Sequence, residues 1–289
     1  MSRRAKAEAL LVVITLIWGS TFVVVKGALS DISPLPFLAV RFTVAGVLLL
    51  AVLGRGRVAR EALVPGVVLG VFLFAGYLCQ TFGLTLTTPS KSAFLTGFSV
   101  ILVPVILFFR GSRLRPPSVV GALMGLAGIY FLVLPSRLET VNRGDLLTLL
   151  GAVSFAVHIV LVGSYTRRLS FLHLVPAQIL TVGLLAALAT PFGPAHVLHW
   201  TRRLILAWVV TVVFATGIAF SVQNWAQQYT PAAPTALIFA LEPVFAVLTS
   251  RLVMGERLGG KVLLGSSLIL GGMVLSEVWG GRTPSPMES

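Results

Sequence analysis

The chain has 289 residues, 56% of them hydrophobic and only 11% charged, where a soluble domain carries about 25% charged residues. With a mean hydropathy of +0.97, this composition excludes a soluble globular protein and indicates an integral membrane protein. The net charge of +13 does not mark a nucleic-acid partner, because the 22 Lys and Arg residues are scattered in twos and threes between apolar runs, as loop charges that orient helices and meet anionic lipid headgroups.

Ten apolar segments follow one another, at 8–29, 35–53, 63–86, 90–109, 117–135, 145–163, 170–190, 204–227, 232–253 and 260–279. The first begins after Arg3, Arg4 and Lys6, as a signal peptide would. Its apolar run from Ala9 to Val25 lacks a small-residue cleavage site, so it is expected to stay as a membrane helix. Short loops with turn residues separate the segments, among them Ser33-Pro34, Pro89, Pro116-Pro117 and Gly193-Pro194. No segment alternates apolar and polar residues as a barrel strand does, and nothing remains for a soluble domain. The fold class expected is an all-α integral membrane protein with ten transmembrane helices. Gly66-xxx-Gly70, and Gly121-xxx-Gly125 with Gly128, offer small faces for close helix contact. The lone cysteine, Cys79, allows neither a disulfide framework nor a cysteine-based metal site.

The ninth segment holds the residue that least belongs in a membrane. Glu242 lies near the middle of Ala232–Val253, where an acidic side chain costs roughly 2.5–3.5 kcal/mol on insertion scales. Thr235, Glu242 and Thr249 are seven apart, which on a continuous helix gives one face. Pro243 follows and disturbs the backbone bonds of the preceding turn. Either the carboxyl group bonds a neighbouring helix for assembly, or it takes part in moving something across the membrane.

The chain also repeats. Gly111-Ser-Arg-Leu114 and Gly255-Glu-Arg-Leu258 are each followed six residues later by glycine, and Gln80 with Gln223, Thr87 with Thr230 and Ala93 with Ala236 fall at matching places one residue off that register. Two five-helix halves result, residues 1–137 and 144–280, with a short polar tail at 281–289. Five is odd, so the halves enter the membrane in opposite senses and a binding site is expected between them near the midplane. Glu242 then matches Ser99, and the carboxylate belongs to one half only. Nine Lys and Arg fall on one side of the first half and only Lys26 and Lys91 on the other, which places both termini in the cytoplasm. The second half runs against this rule, with Arg202, Arg203, Arg251, Arg257 and Lys261 outside.

Together these features resemble the EamA-type branch of the drug/metabolite transporter superfamily. The residues that carry the likeness are Trp18-Gly-Ser-Thr21, Pro36-Phe-Leu-Ala-Val-Arg-Phe42, Thr88-Pro-Ser-Lys-Ser-Ala93 and Leu241-Glu-Pro-Val-Phe245 with Gly255-Glu-Arg-Leu258. The resemblance implies alternating access for small metabolites, often amino acids leaving the cell, across the inner membrane. A lipid or lipid-linked sugar flippase of the same superfamily would look much the same. Ser112 departs from the acidic residue such repeats often show in the first half.

The candidate substrate-binding residues are Trp18, Ser20, Arg41, Tyr77, Gln80, Lys91, Phe94, Gln223, Trp225, Phe239 and Glu242. Arg41 and Lys91 are the cations that could meet a carboxylate, unless Arg41 snorkels and Lys91 is solvated in a loop. The amides of Gln223, Asn224 and Gln227 suggest a wet surface or interhelical hydrogen bonds. His158 reads as a buried, hydrogen-bonded neutral ring more readily than as a proton relay. Glu242 is the proton-coupling candidate, since dry surroundings favour the neutral acid and a cation or water the carboxylate. An intramembrane serine protease built on Ser99 and His158 is the less favoured alternative, because Gly-x-Ser is common in a chain with 28 glycines. No cofactor and no metal are implied, and no ATP-binding motif is present, so a gradient supplies any driving force. The partners expected are a small-molecule substrate and the lipid bilayer, with the chain as a monomer or homodimer.

Overall fold

The computed structural model describes residues 2–112, 116–133, 142–193, 197–254 and 260–279. Among these residues the fold is all helical, apart from one isolated bridge between Ile32 and Leu198 in two loops. The helices are α1 (Arg3–Ala28), α2 (Pro34–Val52), α3 (Arg60–Leu86), α4 (Pro89–Thr96), α5 (Ser99–Phe109), α6 (Pro116–Val133), α7 (Arg143–Tyr165) and α8 (Phe171–Ala189). Then come α9 (Arg202–Val210), a π-helical stretch over Thr211–Ile218, α10 (Ala219–Ala226), α11 (Ala232–Phe239), α12 (Glu242–Met254) and α13 (Gly260–Trp279). Eight helices or contiguous helix runs are long and apolar enough to cross a membrane, and Pro116–Phe131 is a shorter apolar helix. The protein is a multi-pass membrane protein.

Local chemistry starts the helices where the loops were expected. Thr88 caps α4 by accepting from the Lys91 N–H, and Pro89 supplies a fixed φ at the first helical position. Asn142 and Asp145 form a capping box at the start of α7. Several helix pairs pack closely through glycine. A Cβ at Gly128 would lie 2.5 Å from the Gly265 carbonyl, and one at Gly272 would lie 2.6 Å from the Gly121 carbonyl, so α6 and α13 approach backbone to backbone. The other extensive pairings are α3 with α7, α2 with α8 and α3 with α8. Gly66 and Gly70 abut Ala177 and Thr181 of α8, which puts that small face inside one chain.

Three departures from the sequence reading matter for the site. The fourth and ninth segments are broken, α4 from α5 at Gly97-Phe98 and α11 from α12 at Ala240-Leu241. The breaks have the same hydrogen bonds: Phe98 N–H to Leu95 and Gly97 N–H to Ala93 in one, Leu241 N–H to Ile238 and Ala240 N–H to Ala236 in the other. Each residue of the second set lies 143 positions after its match. Glu242 therefore opens a new helix, and the expected continuous face of Thr235, Glu242 and Thr249 does not form. Thr235 instead donates to the Pro231 carbonyl at 2.9 Å, and Thr249 pairs with Ser20. The third departure is the π-helical stretch inside the eighth segment. The motif Gly255–Leu258, the residues between Arg113 and Arg115, the junction of the halves at 138–141 and the 281–289 tail lie outside the described residues.

Candidate functional site

The breaks face one cavity of about 760 Å³, counted with its open mouth. Its lining contains four pairs of residues separated by the same 143 positions: Tyr77 with Phe220, Gln80 with Gln223, Thr96 with Phe239 and Ser99 with Glu242. The first residues of α5 and α12 thus stand at matching places, but only α12 brings a charge. Glu242 makes no hydrogen bond or ion pair with any described residue, although its carboxylate is close enough to Tyr77 for the two to interact electrostatically. Its backbone carbonyl packs against α1 at Gly19, where a Cβ would come within 2.6 Å of it.

Arg41 enters the same cavity from α2 and is 3% exposed. Its Nε donates to Thr216 Oγ1 at 2.9 Å and its Nη2 to the Tyr77 hydroxyl at 3.4 Å. The guanidinium carbon lies 4.8 Å from the ring centres of both Phe42 and Tyr77. Such stacking stabilises a desolvated cation by about 2 kcal/mol, and an arginine stays charged. No carboxylate neutralises it among the described residues. The π-helical stretch serves the site twice, since Ala215 beside Thr216 offers its carbonyl to the Trp18 indole N–H at 2.8 Å. Trp18 then packs on Phe220 and Phe239, with ring centres 5.4 and 5.1 Å apart. A buried cation with neutral partners and a carboxylate with none, set in an aromatic wall, form a place for a small polar molecule. Ser99 and His158 both line the cavity. His158 Nε2 is bonded to Gln178 at 2.8 Å, and no hydrogen bond joins the ring to Ser99. Among the described residues no group of three His, Cys, Asp or Glu side chains could hold a metal.

The model of the EamA-like transporter family matches residues 5–134 and again 142–277. The chain belongs to this family. It is 35% identical to an uncharacterized transporter of Archaeoglobus fulgidus over 269 residues, 93% of this chain and 84% of the other. It is 25% identical over 289 residues to a probable amino-acid metabolite efflux pump of Escherichia coli, covering 96% and 95% of the two chains. A solved crystal structure at 24% identity shares the fold, with a TM-score of 0.76 over 95% of this chain and 97% of that one. This EamA-like protein is a transporter, from a family of transporters and not of enzymes.

Of the residues expected at the transporter's site, Trp18, Arg41, Tyr77, Gln80, Gln223, Phe239 and Glu242 line the cavity. Four do not. Ser20 bonds Thr249 at 2.9 Å and the Leu16 carbonyl at 2.8 Å, joining α1 to α12. Trp225 packs on Tyr229, and Phe94 on Phe98. Lys91 Nζ lies 2.8 Å from Asp145 Oδ2. The reason is angular: Ser20 and Trp225 are two residues from Trp18 and Gln223, and Phe94 two from Thr96, which on a helix is the opposite side. The same period would have found what was missed. Thr21, Phe22 and Val25 continue the Trp18 face, and Leu73, Thr81 and Leu84 the Tyr77 face.

Lys91 and Asp145 belong to a polar knot at one end of the transporter. Thr87 Oγ1 donates to Asp145 Oδ1 at 2.8 Å, and Lys26 Nζ donates to the carbonyls of Leu84 and Thr87 at 2.6 and 3.1 Å. A second ion pair joins Arg203, at the start of α9, to Asp31 in the loop after α1, with Nη2 to Oδ1 at 2.8 Å and Nε to Oδ2 at 2.9 Å. The Arg203 hydrogen bond holds the Asp31 carboxyl below its usual range, assisted by Thr201.

Proposed function

We propose that this transporter moves small organic molecules bearing an ammonium group, amino acids or amines, out of the cell across the inner membrane by alternating access. Glu242 without a partner and Arg41 without an ion pair among the described residues, in one cavity, are the observation that carries the reading. Arg41 is buried and Glu242 half-buried, and a desolvated charge is costly unless paired, so both groups favour a cargo that brings the opposite charge. With Lys91 engaged by Asp145, Arg41 is the cation left for a cargo carboxylate. The likeness to the probable amino-acid metabolite efflux pump of Escherichia coli supports cargo and direction. Ten helices in two inverted halves, 1–137 and 144–280, with both termini cytoplasmic, give the alternating frame. The two family matches and the four lining pairs at a constant displacement support that frame.

In this reading Glu242 also carries the coupling proton. A carboxyl group that binds either a proton or a cationic cargo exchanges one for the other, provided the two cannot bind together. Glu242→Gln keeps size and hydrogen bonding but removes the titration. In liposomes with an imposed pH gradient, the Gln variant should lose uphill accumulation of L-amino acids while it still exchanges cargo for cargo. Uphill transport at the wild-type rate by the Gln variant excludes proton coupling through this residue.

A further inference from the structure

Two chains of polar side chains run behind the cavity wall, and each ends on a backbone carbonyl that fixes its polarity. In the first, an Asn224 side-chain atom lies 2.9 Å from the Phe220 carbonyl oxygen. A carbonyl only accepts, so that atom is the Nδ2 donor and Oδ1 points the other way. Oδ1 lies 3.1 Å from Gln178, whose facing atom must then be Nε2, which turns Gln178 Oε1 to His158 Nε2 at 2.8 Å. His158 Nε2 therefore carries the ring proton. The ring is 2% exposed and its hydrogen bond is to the neutral Gln178 amide, so it is neutral and Nδ1 is an acceptor with no hydrogen-bond partner among the described residues.

The second chain repeats the logic one residue along. Gln227 Nε2 donates to the Ile159 carbonyl at 2.9 Å, so its Oε1 accepts from Gln223 Nε2 at 3.1 Å. Gln223 Oε1 is left over, buried and without a partner, on a residue that is 2% exposed and lines the cavity. Neighbours on α7 (His158 and Ile159) and on α10 (Gln223 and Asn224) thus run parallel relays whose free ends are both acceptors. With the Glu242 carboxylate, these free ends give the cavity three acceptors.

We infer that His158 Nδ1, Gln223 Oε1 and the Glu242 carboxylate together read the number of N–H donors on the cargo's cationic group, so that a primary ammonium is preferred and a quaternary one rejected. This rests on the cationic cargo proposed above. A primary ammonium has three N–H donors for three acceptors, and each buried acceptor left unpaired weakens binding by about tenfold. Gln178, Asn224 and Gln227 are positioning residues that set which atom faces inward.

The test uses the purified full chain in detergent at pH 7 and a series of four cations: phenethylamine and its N-methyl, N,N-dimethyl and N,N,N-trimethyl derivatives. Charge and ring stay constant while donors fall from three to none. Affinity, read from ligand-induced thermal stabilisation, should drop about tenfold per methyl group in the wild type. His158→Leu and Gln223→Met should each weaken phenethylamine about tenfold and bind the trimethyl compound at least as well as the wild type does, because an acceptor it leaves unpaired is gone; bulk alone would not produce this. The wild-type series needs no variant to fold. If none of the four cations nor L-phenylalanine binds, the cationic cargo fails and this inference with it. If all four bind equally, or the variants weaken all four alike, the cationic cargo stands and the acceptor wall is overturned.

Discussion

Gly19→Ala tests whether the contact between α1 and α12 sets the place of Glu242. A Cβ at position 19 would stand 2.6 Å from the Glu242 carbonyl oxygen, 2.8 Å from Phe245 Cβ and 3.0 Å from the Ala246 nitrogen. Ordinary contact begins near 3.4 Å, so the helices must separate by about 0.8 Å, and two of the three atoms are backbone that cannot rotate away. Overpacking of this kind costs about 1–3 kcal/mol. Against it stands the helix propensity of alanine over glycine, about 0.8–1.0 kcal/mol. The clash wins, leaving a net loss of about 1 kcal/mol, and the Ser20 to Thr249 hydrogen bond one residue on should lengthen with it. Gly27→Ala is the control in the same helix, because its Cβ would meet only Arg203 Cδ at 3.5 Å; it should be neutral or slightly stabilising. Thermal unfolding in detergent and liposome flux of L-phenylalanine are measured for both. Gly19→Ala should melt lower than Gly27→Ala and transport less, since Glu242 moves with its carbonyl. Equal melting temperatures and equal flux would refute the reasoning.

Asp145→Ala deprives Lys91, the Thr87 hydroxyl and the Asn142 N–H of one shared acceptor, so it should lower stability by about 3 kcal/mol, whereas a melting temperature at the wild-type value would show the knot to be idle. The Asp31 carboxyl is held below its usual value by Arg203, so its contribution is fully present above about pH 4 and is lost as pH falls through the lower folded value. The stability difference between wild type and Asp31→Asn should then be flat from pH 7 to about 4 and shrink below that, and a difference that grows on acidification would reverse the sign. For topology, in a Cys79-free background, Phe192→Cys should react with an external thiol reagent and Arg57→Cys should not; the reverse pattern would make the charge bias of the second half the better guide.

The apolar segments were legible because a bilayer-length run of hydrophobic residues needs no tertiary context. The reading of Glu242 came from cost alone, and its place opposite Ser99 came from the repeat. The break at Ala240-Leu241 was half legible, because Pro243 follows it and disturbs the preceding turn; the matching break at Gly97-Phe98 has no proline beside it and left no such mark. The π-helical stretch over Thr211–Ile218 left no compositional mark either, yet it turns the Ala215 carbonyl to Trp18 and Thr216 to Arg41. Adjacent polar residues were grouped because they were near in sequence, and Ser20 and Trp225 show why that fails: on a helix, two positions is half a turn. His158 could be read as buried and neutral, but its partner Gln178 is twenty residues away on α8.

The family match and the helix breaks occur twice along the chain, and the charges do not. Ser99 and Glu242 open matching half-helices, and a helix start favours a carboxylate through the aligned peptide dipoles; only the second half uses that favour. The cation comes from α2 in the first half, yet its Nε is bonded to Thr216 of the second. In the proposed cycle a zwitterion meets Arg41 with one end and Glu242 with the other, and so ties an element of each half to the same molecule. A singly charged cargo engages one half and leaves the other charge buried and unmatched. Binding energy from the second contact is then available only when the halves stand close enough for both, which is the differential affinity that a ligand needs in order to shift one conformation towards another. On this argument cargo recognition and closure of the cavity are the same event, and the separation of the two charges between halves is what joins them.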